Sequence, residues 1–247
     1  MNLYPSIFRR KSTRRYESQP LPQQTIADIE SAIKGFAPLY PSVVPGYRFV
    51  GKTKGKFGQG SFVAEAPHFL IISGQGKRGE KPGELESAGF VYQQLALWLD
   101  ANDIGSVWLG SAKDAETNNS DNNNDIITLA FGKGAENIHR AQKDFDRKPI
   151  SEITNAPDDI CIQAAHLAPS GVNTQPWYFE KKADGVLVYR QKLKPPLSLM
   201  YKLSDVDMGI ALCHYALACK ETGKPFAFTR NADLKAKPGF IPFGVIA

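Results

Sequence analysis

The spacing of apolar residues along the chain takes two forms, one typical of helices and one of buried strands. Apolar residues at helical spacing predict four helices, over residues 21–33, 84–101, 160–167 and 207–221. Short continuous apolar runs predict strands over residues 69–73, 126–131 and 185–189, and a further strand begins at Tyr178. The chain therefore combines several helices with several short strands.

The connection between the third helix and the strand after it is unusually polar. It reads APSGVNTQPW, residues 168–177, with Asn173 and Gln175 on either side of a threonine. A helix that ends in a tight polar loop presents amide and hydroxyl groups, which suit a flat polar ligand. A plain helix-to-strand connection with Trp177 in the core is the alternative interpretation.

A second distinctive segment is basic and lies near residue 10. It reads RRKSTRRY, residues 9–16, with five basic residues and two aliphatic hydroxyls in eight positions. Guanidinium forks and hydroxyl donors are the groups that a phosphate dianion requires. A solvated basic face, a nucleic-acid-binding arm and a targeting segment are the alternatives, although the segment lacks the apolar run of a signal peptide.

These two motifs resemble the APSxxNxQPW loop and the RRSxRxF turn of the nitroreductase-like FMN-dependent flavoproteins, with Lys11 and Tyr16 as departures from the turn. In that family the turn holds the FMN phosphate, and the loop lies along the flavin ring at a dimer interface. Residues 103–110, DIGSVWLG, resemble the family's GLGxxWxG with Asp103 in the first glycine's place, and residues 147–150, RKPI, resemble its closing RKPL.

The resemblance implies a set of cofactor-binding residues in this chain. On the phosphate side it implies Arg10, Lys11, Ser12, Arg14 and Arg147. Along the flavin ring it implies Pro169, Ser170 and Asn173, and beside flavin N5 it implies Leu109, Gly110 and Ser111. It implies no catalytic side chain and no metal, because the flavin carries the chemistry.

The order of the motifs differs from that of an ordinary family chain, because the elements that normally close the fold come between turn and loop. Aligning Gly89 with Gly209 matches the two long helices and suggests two copies, residues 1–150 and 151–247. The loop is degenerate in the first copy, over residues 37–50, and the turn is missing from the second. The chain therefore resembles the single-chain, pseudo-dimeric nitroreductases, with an α+β fold, central antiparallel or mixed sheets and one FMN site built from both halves.

Composition restricts the remaining possibilities. Hydrophobic content of 42% is ordinary for a soluble globular protein, and no apolar run approaches the roughly 20 residues that span a bilayer. The net charge of +5 is mild, so we do not expect nucleic-acid binding. The histidines show no metal spacing. We expect buried free thiols, and hence a cytoplasmic protein, from Cys161, Cys213 and Cys219.

The function that the resemblance implies is two-electron transfer by an FMN-dependent NAD(P)H oxidoreductase. NADH or NADPH would be the reductant, and the partner would be a small electron-poor acceptor such as a nitroaromatic compound or a quinone. A monomer would suffice for one FMN site, with a further homo-oligomer or a swapped arrangement left open. A flavin-binding protein without turnover, and a scaffold that has lost FMN, remain the alternatives.

Overall fold

The computed structural model describes residues 1–51, 53–54, 66–110, 113–114, 124–195, 198, 203–231, 233–235 and 237–247. Its helices are α1 (Gln23–Lys34), α2 (Glu84–Ala101), α3 (Ile160–His166) and α4 (Ser204–Glu221). Its strands are β1 (Gly46–Val50), β2 (Thr53–Lys54), β3 (His68–Ser73), β4 (Gly105–Leu109), β5 (Lys113–Asp114), β6 (Asp125–Gly132), β7 (Trp177–Lys182), β8 (Gly185–Gln191), β9 (Phe228–Arg230) and β10 (Phe240–Ile246). All four predicted helices are present, and the predicted bounds of α2 are the observed ones.

Two four-stranded antiparallel sheets share one connection pattern. The first sheet has the order β1-β3-β6-β4 and the second has the order β7-β8-β10-β9, while β2 pairs with β5. When the four strands of each sheet are counted in chain order, both sheets arrange them across the sheet as first, second, fourth and third. In each, the long helix lies between the second and third strands. The predicted α+β fold with two related halves is therefore confirmed, and its boundary at residue 150 stays a prediction.

The long helices α2 and α4 form the centre of the molecule. Nearly every residue of α2, and most of α4, is buried, as expected of a helix that is covered on all sides. The two helices pack against each other more extensively than any other pair of elements in the described part of the chain. Their crossing lies at Gly89 and Gly209, where each helix backbone approaches the other closely. The halves therefore share one core.

The basic N-terminal segment is held between β4 and residues 134–140. Ser12 forms a parallel bridge with Ser106 of β4, whereas Arg10 forms an antiparallel bridge with His139. The Tyr16 hydroxyl donates to the carbonyl oxygen of Thr13 at 2.6 Å. Backbone pairing on both sides therefore fixes the direction in which the basic side chains leave this segment.

The three cysteines are buried, as the apolar helical sequence around them predicts. Among the helices that the structure describes, none combines the length and the apolar character that crossing a bilayer requires.

Candidate cofactor site

The predicted phosphate side contains a cluster of three arginines, Arg10, Arg140 and Arg147. Arg10 is 4% exposed, and burial followed by the charge of Arg140 lowers its pKa to about 10. Burial, followed by the charges of Arg140 and Arg10, lowers the pKa of Arg147 to about 10 as well. The three guanidinium groups therefore lie close enough to repel one another.

Nearby carboxylates only partly offset this positive charge. Asp100 favours the charged form of Arg10. The same carboxylate is shared with Arg9, because Nε of Arg9 donates to Oδ2 of Asp100 at 2.9 Å. Among the described residues, the buried Nε atoms of Arg140 and Arg147 have no hydrogen-bond partner. Buried donors without partners, beside arginines whose charge is only partly offset, are what an anion would satisfy.

The remaining residues of the basic segment differ in how they face this cluster. The backbone N–H of Lys11 donates to the carbonyl oxygen of Ile138 at 3.3 Å, so the fold already uses that donor. Ser12 is half-buried and lies against β4. Arg14 is exposed, yet its charge contributes to the lowered pKa of Arg10. Arg14 therefore lies at the outer edge of the cluster.

The loop over residues 168–177 has a strained backbone. Val172, Asn173 and Gln175 have φ angles of 45°, 57° and 46°, in the left-handed region that residues with side chains seldom adopt. Contacts hold the loop in this shape: the Ser170 hydroxyl oxygen accepts from the N–H of Gln175 at 2.8 Å, and the N–H of Gly171 donates to Asp207 at 3.0 Å. Strain that the surroundings maintain in this way is typical of ligand sites.

Arg147 joins the phosphate side to this loop. Its Nη2 atom donates to the carbonyl oxygen of Leu167 at 2.9 Å, and its Nη1 atom donates to Oδ1 of Asn173 at 3.3 Å. The Asn173 amide in turn donates to the carbonyl oxygen of Asp146 at 3.2 Å. The family resemblance places Arg147 and Asn173 in different halves of one site, and the structure brings them into direct contact.

The end of β4 reaches the same loop through the start of α4. A β-carbon on Gly110 would lie 3.2 Å from Cδ1 of Leu203, the residue before α4. The N–H of Asp207 donates to the carbonyl oxygen of Leu203 at 3.3 Å, and Asp207 also binds Gly171. Leu109, the last residue of β4, is buried.

Two of the predicted ring-side residues need separate mention. Pro169 is half-buried at the beginning of the strained loop, beside Ser170. Ser111 lies outside the described residues.

A polar network that no sequence motif indicated lies behind the site, with a buried centre and a half-buried tryptophan at one end. Nε1 of Trp108 donates to Oε1 of Gln93 at 3.0 Å, and Nε2 of Gln93 lies 2.9 Å from Nε2 of His214. Nδ1 of His214 lies 3.1 Å from the carbonyl oxygen of Ala164. A proton assigned to Nδ1 satisfies every one of these contacts. Burial is the main reason that the pKa of His214 is lowered to about 3.

Arg140 is the other functional candidate that sequence reasoning missed. It lies in an irregular segment without a motif, and its guanidinium carbon stands 3.6 Å from the centroid of the Phe145 ring. The only sequence signal for it is a basic residue shortly before RKPI. Arg147 is near in sequence but Arg10 is distant, so only the fold brings the three arginines together.

Two cavities in the described part of the chain lie apart from these residues. One of about 150 Å³ is lined by residues 42–45 and the region before α2. The other, of about 440 Å³, is lined by Leu85, Arg190 and Asp205 among others. Neither includes a predicted cofactor residue. The candidate site is therefore identified by its charge and its backbone conformation.

Comparison with known proteins agrees with the fold and with the family resemblance. The profile of the family described as "Putative TM nitroreductase" matches residues 2–219. The crystal structure of a "putative nitroreductase" from Thermotoga maritima superposes with a TM-score of 0.63 at 20% identity, over 94% of this chain and 91% of that one. No curated protein sequence matches significantly.

Other nitroreductases superpose over about half of the chain. Nitroreductase A from Vibrio parahaemolyticus gives a TM-score of 0.47 at 19% identity, over 57% of this chain and 71% of that one. An FMN-dependent nitroreductase from Clostridium difficile gives 0.43 at 16% identity, over 56% and 91%. The match to the family profile covers most of the chain, and the chain therefore belongs to the "Putative TM nitroreductase" family of oxidoreductases.

Proposed function

We propose that the protein is an FMN-dependent NAD(P)H oxidoreductase that reduces an electron-poor acceptor, such as a nitroaromatic compound or a quinone, by two-electron transfer. The observation that carries this proposal is the arginine cluster of Arg10, Arg140 and Arg147, which Arg147 links directly to Asn173 of the strained loop. When bound, FMN would accept a hydride from the nicotinamide and pass two electrons to the acceptor.

The arginine cluster fits the phosphate of FMN. A phosphate dianion would restore the charge balance among guanidiniums whose pKa values are lowered, and it would accept from the unpartnered Nε atoms of Arg140 and Arg147. Arg10 is held by its buried position and by backbone pairing, so little side-chain entropy would be lost on binding. Arg14, at the outer edge, would add long-range attraction.

The ring side is suited to a flat ligand. Gly110 lacks a side chain, which lets backbone approach a ring, and it lies next to the start of α4. Gly171 and Ser170 are fixed by their hydrogen bonds to Asp207 and Gln175. These residues would orient the ring and exclude water from one of its faces, while the first-half arginines hold the phosphate.

The equivalent place in the other half is filled by protein side chains, which supports a single site per chain. The offset that aligns Gly89 with Gly209 also aligns Gly110 with Arg230. Arg230 forms an ion pair with Glu86 at 2.6 Å, and the Tyr40 hydroxyl donates to Glu86 at 3.4 Å. At this position the second half has an arginine that is paired with a carboxylate, where the first half has a glycine without a side chain.

The visible absorption spectrum of the purified protein tests the proposal. We expect one FMN per chain, bleaching on anaerobic addition of NADH or NADPH, and recovery of colour when menadione or 4-nitrobenzoate is added. A yellow protein that neither nicotinamide bleaches would indicate a flavin-binding protein without turnover. A colourless protein that takes up no added FMN would indicate a scaffold.

A further inference from the structure

The buried network of Trp108, Gln93, His214 and Ala164 connects the two halves of the molecule. Gln93 belongs to α2 and Trp108 to β4, both in the first half, whereas His214 belongs to α4 and Ala164 to α3 in the second. Gln93 and His214 are essentially inaccessible to solvent. Buried amide and imidazole groups weaken a fold unless they are hydrogen-bonded, so their contacts hold the halves in one relative position.

The two ends of the network attach next to the two ring-side elements of the candidate site. Trp108 immediately precedes Leu109, at the end of β4. The carbonyl oxygen of Ala164 lies in the last turn of α3, where it also accepts from the N–H of Leu167 at 3.2 Å. The strained loop follows directly. The network therefore spans from one ring-side element to the other through the core.

The network also lies close to the arginine cluster. The charges of Arg10 and Arg147 both act on the His214 imidazole and favour its neutral form. A neutral imidazole can donate from Nδ1 while accepting at Nε2, and the Gln93 amide can then donate to it and accept from the indole. Every hydrogen bond then donates in the same direction, from the indole through Gln93 and His214 to Ala164. The network therefore specifies one geometry.

We propose that Gln93 and His214 are positioning residues that fix the separation between the end of β4 and the strained loop. Through that separation they set how strongly the site favours reduced over oxidised flavin. The proposal rests on the proposed function, because it concerns the same flavin site. Neither residue touches the cofactor in this proposal: each acts through the backbone that it holds.

Removing the indole donor is the test, with a matched control. Trp108→Phe deletes the donor to Gln93, whereas Trp98→Phe makes the same atomic change on α2 at a half-buried tryptophan outside the network. We expect the indole N–H of Trp108 to be protected from hydrogen exchange in the wild-type apoprotein. We expect Trp108→Phe to weaken binding of reduced FMN tenfold relative to oxidised FMN, which lowers the two-electron midpoint potential by about 30 mV.

A second pair of variants covers the case in which Trp108→Phe fails to fold. His214→Gln keeps an acceptor near Gln93 and loses the donor to Ala164, while His214→Asn does the reverse. We expect each variant to lower the midpoint potential of the flavin, since each removes one hydrogen bond of the network. An unchanged potential in the variants that fold, or an equal shift in Trp98→Phe, would overturn the proposal. Wild-type protein that binds no FMN would overturn the proposed function and this inference together.

Discussion

Gly89 of α2 and Gly209 of α4 face each other's helices at equivalent positions. A β-carbon on Gly89 would lie 2.0 Å from the carbonyl oxygen of Val206, and one on Gly209 would lie 1.9 Å from that of Glu86. The offset that relates Gly89 to Gly209 also relates Glu86 to Val206. Reciprocal contacts of this kind define a two-fold interface, here within one chain.

Alanine at this crossing should destabilise the fold. Gly209→Ala forces two helix backbones apart, so we expect the free energy of unfolding to fall by about 3 kcal/mol or more, measured by urea denaturation. Gly51→Ala is the control, because a β-carbon there would meet nothing within 4 Å and should change stability by less than about 0.5 kcal/mol. Similar stabilities for the two variants would contradict this close approach.

Loss of Arg10 should weaken FMN binding. A charge-assisted hydrogen bond to phosphate is worth about 1.5–3 kcal/mol, so Arg10→Ala should raise the Kd for FMN about tenfold or more in a fluorescence-quenching titration. Arg15→Ala is the matched control, because Arg15 is exposed and pairs with Glu136 at 2.9 Å. Equal affinities for the two variants would remove Arg10 from the phosphate side.

Complementation between chains should fail. Because Arg147 contacts Asn173 within one chain, we expect both sides of the site to come from the same molecule. Mixing an Arg10→Ala chain with an Asn173→Ala chain should therefore restore neither FMN binding nor NAD(P)H oxidation. Recovery on mixing would show that sites form between chains, as in the swapped arrangement.

His214 should make stability depend on pH. Burial lowers its folded pKa from 6.5 to about 3, so between those values the unfolded chain binds the extra proton and stability falls as pH falls. From pH 7 to pH 5 this single group should cost about 2 kcal/mol. We therefore expect the free energy of unfolding of wild-type protein to fall by that much more than that of His214→Gln. Equal losses of stability in wild-type protein and in His214→Gln would show that His214 is not buried as a neutral group.

Local patterns in the sequence predict all four helices named above and the strands β3, β6, β7 and β8. The bounds of α2 follow from its apolar spacing, and Asp103 occupies a glycine position of the family pattern because it adopts φ 57°, which Asp tolerates better than most residues. The start of α4 was placed at Asp207 rather than Ser204, since its first turn carries two acidic residues and little apolar signal. The apolar runs predict no strand at the positions of β1, β2, β4, β5, β9 and β10.

The composition of the candidate site could be predicted only in part. Arg10, Arg147 and Asn173 were identified through family motifs, and the direct contact of the last two was not foreseen. The proximity of Arg140 to Arg10 and the pairing of Gln93 with His214 both join residues distant in sequence. No local spacing encodes such contacts, because they arise only when distant parts of the chain pack together.

The left-handed backbone at Val172, Asn173 and Gln175 makes this loop a poor place to seek thermostability. Each such residue stores about 1–3 kcal/mol, so glycine substitutions that relieve the strain could raise the melting temperature of the apoprotein. The same substitutions would let the loop sample many shapes, and the ligand would then have to order it. Selection for heat resistance alone would therefore tend to erode affinity at this loop, so stabilised variants need to be screened for ligand binding as well.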